Sequence, residues 1–149
     1  MHAVDLIHRP AITIEARASI AEAAEQMEQA GVGCLGVVDA GVLIGIVTDR
    51  DLVRRGLARH LPVDARVDAV MSAPVVSVAP DAPVSTVFDR FRTHAIRRVA
   101  VVRGGHLEGI IAVDDLLVVL SRQLEDIARP VTGELLFAQR DSAVPVVPS

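Results

Sequence analysis

Apolar positions along this chain follow two spacings. Over 20–30, Ile20, Ala23, Ala24 and Met27 recur three and four residues apart, which lays them on one face of a helix. Ser19 and Glu22 stand at capping-box spacing at its start. The stripe returns as Val84, Val87, Phe88 and Phe91, where Pro83 suits a first helical turn. Compact apolar runs over 35–38 and 43–47 flank Asp39-Ala40-Gly41, and runs over 99–102 and 107–111 flank Gly104-Gly105. Each pair predicts a hairpin. Short strands are predicted over 11–14 and 75–78, each directly after a proline, and further helices from near Asp49 and Val113.

These elements recur because the chain repeats itself. Sliding it by 64 positions sets Pro10 on Pro74, Val37-Val38 on Val101-Val102, Gly41 on Gly105 and Leu43 on Leu107. Gly45-Ile46 falls on Gly109-Ile110 and Asp51-Leu52 on Asp115-Leu116, while Ile12/Val76, Thr13/Ser77, Ile14/Val78 and Met27/Phe91 keep their character. Matches at one fixed offset over this length mark a duplication. The predicted fold is α+β, two β-α-β-β-α repeats over 1–64 and 65–129. A unit of about sixty residues buries too little surface to be comfortable alone, so the two are expected to face each other. Leu116-Leu117-Val118-Val119-Leu120 is apolar all round its helix and needs cover on two sides, its own sheet and either a partner chain or the C-terminal segment. A homodimer is the expected assembly. Residues 130–149, with Pro145 and Pro148, read as a loosely held tail in which Leu135-Leu136-Phe137 offers a docking patch.

Composition narrows the function. Half of the residues are apolar (51%), yet only three are Phe and none is Trp or Tyr, so the core is aliphatic. A net charge of −4 lacks the basic footprint of a nucleic-acid binder. All the basic residues are Arg, which reads either as planar forks for phosphates or as composition bias alongside the many Ala, Val, Gly and Pro. The single Cys34 forms no internal disulfide, in keeping with a reducing cytoplasm. No charged-then-apolar leader opens the chain, since His2, Asp5, His8 and Pro10 interrupt it. The apolar stretch over 32–47 is cut by Asp39-Ala40-Gly41 and reads as two strands, not a membrane span.

The most informative segment is Gly45-Ile46-Val47-Thr48-Asp49-Arg50-Asp51-Leu52. It sets a hydroxyl and a carboxylate three apart where a buried strand gives way to a helix, so Thr48 and Asp51 are either a capping box or ligand-binding groups. In the second copy Ala112 replaces the hydroxyl while Asp115 is kept. A pair stripped of its cap points to a separate job for the acid, although Asp near a helix N-terminus is favourable in any case. Cys34, within an apolar run, reads as a small buried thiol. Arg54, Arg55 and Arg59 read as a wet helix face, and the five His have no metal-ligand spacing.

The repeat, the Gly-apolar-apolar-Thr-x-x-Asp segment, the Val-Val before each turn and the basic-then-apolar Arg97-Arg98-Val99-Ala100-Val101-Val102 together resemble CBS domains, named after cystathionine β-synthase, over about residues 4–128. The resemblance implies a pseudo-twofold axis between the repeats and up to two clefts that take AMP, ADP, ATP or S-adenosylmethionine, with no cofactor required. It implies that Asp51 accepts both ribose hydroxyls and that Thr48 reaches a phosphate or ribose oxygen. Backbone around Ser77 and Ile96-Arg97 would hold the adenine, and Arg50, Arg97 and Arg98 are candidates for the phosphates. A second, weaker cleft would pair Asp115 with Thr13, Val32, Gly33 and Cys34. The implied function is a regulatory sensor of a separate partner protein; the alternative is a structural dimerisation module with a degenerate cleft. No nucleophile–base pair, metal-ligand set or phosphate-cradling glycine loop supports an enzyme.

Overall fold

A computed structural model describes residues 1–8 and 10–142, with side chains as far as Thr132. The chain divides into two units, Met1–Val113 and Asp114–Ser149.

In the first unit, β1 (Thr13–Glu15), α1 (Ile20–Ala30), β2 (Cys34–Asp39) and β3 (Val42–Thr48) form the first copy. After β3 the chain enters α2 (Asp49–Asp51), which passes into a π-helical turn over Leu52–Leu57. The wider turn appears in five-residue hydrogen bonds, Ala58 N–H to the Val53 carbonyl (2.8 Å) and Leu61 N–H to that of Gly56 (3.0 Å). The second copy has β4 (Ser77–Val78), α3 (Val84–His94), β5 (Arg98–Arg103) and β6 (His106–Ala112). Each sheet has three strands, ordered β1-β2-β3 and β4-β5-β6, with a parallel pair and then an antiparallel hairpin. The hairpins share even their irregularity, a register shift at Val37/Val38 and again at Val101/Val102. The turns match too, with Gly41 and Gly105 at φ 80° and 82°, a backbone state that glycine adopts without a Cβ penalty.

Helix α1 covers the residues its pattern predicts. Ser19 Oγ accepts the Glu22 N–H at 3.0 Å and the Glu22 carboxylate accepts the Ser19 N–H at 3.0 Å, closing the capping box. Pro83 stands one place earlier than expected, as the extended residue just before α3. Its carbonyl accepts the Thr86 N–H at 2.9 Å, so it is the half-in residue at the helix start.

The two copies exchange their lead-in segments. Ala3 N–H donates to the Ala82 carbonyl, and its counterpart Val67 N–H donates to that of Ala18. Val4 N–H to Pro80 and Asp68 N–H to Ala16 form the next matched pair, and the bridges His2–Pro83 and Ser19–Arg66 a third. Ile7 covers Gly109, and Met71 covers Gly45. Every one of these pairs is related by the 64-residue offset with the copies interchanged, which is the signature of a pseudo-twofold axis. The first core therefore contains Val67 and Val70 beside Ile14, Met27, Leu35, Val37 and Val47, all buried. Each fully buried aliphatic side chain of this kind contributes roughly 1.5–3 kcal/mol.

The second unit holds most of α4 (Val113–Ser142). The helix does not stop at Arg129-Pro130, where the sequence pattern ends; Pro130 lies inside it. A proline removes one backbone donor and crowds the preceding turn, which bends a long helix without necessarily ending it. The backbone of 130–142 is thus helical where a loose tail was expected. Pro145, Pro148 and the side chains of Leu135-Leu136-Phe137 lie outside the described residues. Leu117, Leu124 and Val131 are exposed and seven apart, with Ile127 exposed between them, so α4 carries an apolar stripe at coiled-coil spacing.

Candidate functional site

The site is built where β3 ends. Thr48 is the extended residue before α2, paired across the hairpin with Cys34. Its Oγ1 accepts the Asp51 N–H at 3.1 Å, and Asp51 Oδ2 accepts the Thr48 N–H at 3.0 Å. The capping-box reading of this pair is therefore real. It does not exhaust the carboxylate, because Ser72 Oγ also donates to Asp51 Oδ2, at 3.4 Å, and Oδ1 accepts no hydrogen bond among the described residues. Asp51 is half-buried, so it keeps a route to solvent while its orientation is fixed by the helix start.

Ser72 comes from the segment between the copies. It is held beside β3 by a reciprocal pair of backbone bonds: Ile46 N–H to the Ser72 carbonyl (3.0 Å) and Ser72 N–H to the Ile46 carbonyl (2.8 Å). From the second copy come Ile96, just after the left-handed Ala95 that ends α3, and Arg97-Arg98 at the start of β5. The Arg97 carbonyl accepts the Val113 N–H at 2.9 Å, as the Gly33 carbonyl accepts that of its counterpart Asp49.

Together Ile46, Thr48, Ser72, Pro74, Val75, Val76, Ile96, Arg97 and Arg98 line a crevice of about 190 Å³. Ile46, Pro74, Val75, Val76 and Ile96 give apolar walls suited to a flat ring, while two hydroxyls and two guanidiniums supply polar contacts. Of the expected residues, Thr48, Ile96, Arg97 and Arg98 meet here, and Asp51 adjoins them through its bonds to Thr48 and Ser72. Arg50 is exposed, Ser77 is exposed on β4, and neither is among the residues that line the crevice.

Of the residues expected in a second cleft, Val32 and Gly33 line a hollow of about 520 Å³ with α1, Asp49, Leu52 and Val53. Thr13 is exposed on β1 opposite Gly36, and Asp115 is exposed in the first turn of α4. Cys34 has its pKa pushed up to about 11, chiefly by burial, with Arg98 opposing and Asp51 and Asp49 reinforcing the rise. A thiol so protonated at neutral pH is no nucleophile. Sequence reasoning missed Ser72 and Arg55. Arg55, expected on a wet face, is half-buried and donates through Nη1 to the carbonyls of Met71 (2.9 Å) and Val70 (3.3 Å). Arg54 and Arg59 are exposed as expected.

A family model for the CBS domain matches the chain twice, over residues 3–58 and 67–122. The chain belongs to the CBS-domain family. The two CBS matches are themselves 64 residues apart, the offset of the internal repeat. Among curated relatives, the chain is 41% identical over 100 residues to the uncharacterised protein YlbB of Bacillus subtilis, covering 66% of this chain and 68% of that one. It is 38% identical over 106 residues to the CBS domain-containing protein YhcV of the same organism, covering 71% and 76%. Among solved structures, it is similar to the CBS domain protein PAE2072 of Pyrobaculum aerophilum complexed with AMP, with TM-score 0.70, 27% identity, and 78% and 90% of the two chains covered. No helix among the described residues is long and apolar enough to cross a membrane, and the 32–47 stretch is the β2–β3 hairpin.

Proposed function

We propose that this tandem CBS protein is a non-catalytic regulatory module that takes an adenine nucleotide or S-adenosylmethionine in the crevice and signals to a separate protein in the cytoplasm. The observation carrying this reading is that the crevice sets Thr48, bonded to the adjoining Asp51, against an apolar wall and two arginines of the other copy. In the proposed pose the ribose hydroxyls donate to Asp51, whose Oδ1 has both lone pairs to offer. The ring lies against Val75, Val76 and Ile96, and Arg97 and Arg98 meet the phosphates. The AMP held by the Pyrobaculum relative supports this ligand class. A ligand bridging two copies shifts the module only if it binds two of its shapes unequally. Titration calorimetry with AMP, ADP, ATP and S-adenosylmethionine tests it. Binding of at least one at micromolar concentrations is expected, and silence from all four at millimolar concentrations removes the reading.

One observation favours a second reading. Thr48 and Asp51 bond each other reciprocally as a helix cap, which is all that a purely structural CBS pair would ask of them. Such a module would dimerise through the exposed heptad stripe of α4, and we expect a homodimer under either reading.

A further inference from the structure

We propose that Arg55 is a positioning residue of the crevice, holding the inter-copy segment so that its Ser72 side stays in register with Asp51. This rests on the ligand reading above and extends it to a residue that would touch no ligand. The crevice is assembled from segments far apart in the chain, and Ser72 reaches it on a stretch with no regular structure beyond one bridge to Ile46. Val70 is buried in the first core and Met71 packs on Gly45, and Arg55 secures the carbonyl side of the same stretch. Arg55 Nη1 donates to the carbonyls of Val70 and Met71 and lies 3.4 Å from Ser72 Oγ, gathering three successive residues onto one nitrogen. Ser72 Oγ in turn donates to Asp51 Oδ2. The chain of contacts therefore runs from Arg55 through Ser72 to the proposed ribose acceptor.

The backbone gives an independent reason to look at Arg55. It lies within the π-helical turn over Leu52–Leu57, a rare geometry that is frequent at functional sites. Its guanidinium is half-buried against the Val70–Ser72 backbone. A half-buried cation donating to carbonyls makes hydrogen bonds of the stronger, charge-assisted kind.

The test uses the full chain and the variants Arg55→Met, Arg55→Lys and Ser72→Ala. The first readout needs no ligand. Hydrogen exchange at Ile46 and Ser72, whose amides bond each other's carbonyls, is expected to accelerate about tenfold or more in Arg55→Met, while Leu35 and Val47 in the hairpin keep their protection. Arg55→Lys, which keeps the charge and a shorter donor, is expected to recover part of it. The second readout compares AMP with uncharged adenosine. A positioning role lowers affinity for both by the same factor, about tenfold, and Ser72→Ala lowers both in the same proportion to each other. Unchanged exchange at Ile46 and Ser72 in Arg55→Met would overturn the proposal. So would loss of AMP binding alone, since Arg55 would then be a phosphate ligand. If the unmodified chain binds neither probe, the ribose reading of Asp51 falls, and the exchange result still decides whether Arg55 fixes the segment. Should Arg55→Met fail to fold, Arg55→Lys carries both readouts.

Discussion

The two copies share a backbone and differ in the chemistry laid on it. Both have eleven-residue helices, six- and seven-residue hairpin strands, the same bulge and the same left-handed turn glycine. At the polar positions that build the crevice the counterparts diverge, while the wall residues Ile46 and Pro74 are matched by Ile110 and Pro10. Thr48 answers to Ala112, Ser72 to His8, Arg97 to Gly33 and Arg98 to Cys34; of the polar residues only Asp51 has an identical counterpart, Asp115. One set offers two hydroxyls and two planar cations around its carboxylate, and the other offers none of these. Gly45 and Gly109 are held in both copies because packing across the pseudo-twofold axis, by Met71 and Ile7, demands them twice. A ligand demands its contacts only where it sits. The duplication thus separates residues that serve the fold from those free to serve one site.

The most direct way to break this comparison is to neutralise each acid in turn. Asp51→Asn is expected to weaken AMP binding about a hundredfold or more, the loss of two charge-assisted hydrogen bonds at ~1.5 kcal/mol each. The asparagine carbonyl can still accept the Thr48 N–H, so the helix start and the melting temperature should be nearly unchanged. Asp115→Asn is expected to alter AMP affinity less than about twofold, since its copy supplies no cation to a phosphate. Calorimetry on both variants decides the point. Equal losses would mean that the copies are functionally equivalent and that the divergence at the other positions carries no weight.

Cys34 and Arg98 occupy the same place in the two copies, and the thiol's titration sharpens the contrast. Burial is the main cause of its rise from 9.0 to about 11. Two pKa units leave about a hundredfold less thiolate near pH 8, so iodoacetamide should modify folded Cys34 about a hundred times more slowly than the unfolded chain. The folded state holds this proton more tightly than the unfolded one. Its contribution to stability is therefore complete below pH 9 and is lost as pH climbs toward 11. The window is unusually clean, because the chain has no Lys and no Tyr to titrate across it. Thermal unfolding between pH 8.5 and 11 should show the decline, and Cys34→Ala should flatten it. A wild-type profile as flat as the variant's would contradict the burial.

What was legible in the sequence was what local pattern controls. The 3.6-residue stripe of Ile20, Ala23 and Met27 gave α1 to the residue, and the Asp-Ala-Gly and Gly-Gly turns gave both hairpins. The fixed offset gave the pairing of copies, and the Gly-to-Asp segment gave Thr48 and Asp51. The exchange of lead-in segments was not legible, because nothing near Val67 indicates that it will fill the core under Leu35 and not its own copy's. Ser72 was missed for the same reason: its place is fixed by pairing with Ile46, far away in the chain. Arg55 was misread for the same kind of reason, since the carbonyls that hold it, those of Val70 and Met71, lie in a segment remote from it along the chain.

The smallest expected effect tests the copies as helix starts alone. Thr48 caps α2, and removing its hydroxyl in Thr48→Ala should cost about 0.5–2 kcal/mol, a fall of roughly 1–8 °C in melting temperature for a chain of this length. Ala112 precedes α4 without a side-chain acceptor, so Ala112→Thr should supply what the second copy lacks and raise the melting temperature by a similar or smaller amount. The double variant should then return close to the wild-type value, because the two helix starts share no partner and distant changes add. Calorimetric melting of the three proteins without ligand measures this. A fall in Thr48→Ala far beyond the range of a cap would mean that Thr48 also holds the hairpin against Ser72 and Asp51. No gain in Ala112→Thr would mean that α4 starts well enough on the acids of its first turn, Asp114 and Asp115, through their attraction to the helix N-terminus. In that case Asp115 owes its presence to the helix, and the one polar residue kept identical in both crevice sets would have a structural explanation in one copy and a ligand-binding one in the other.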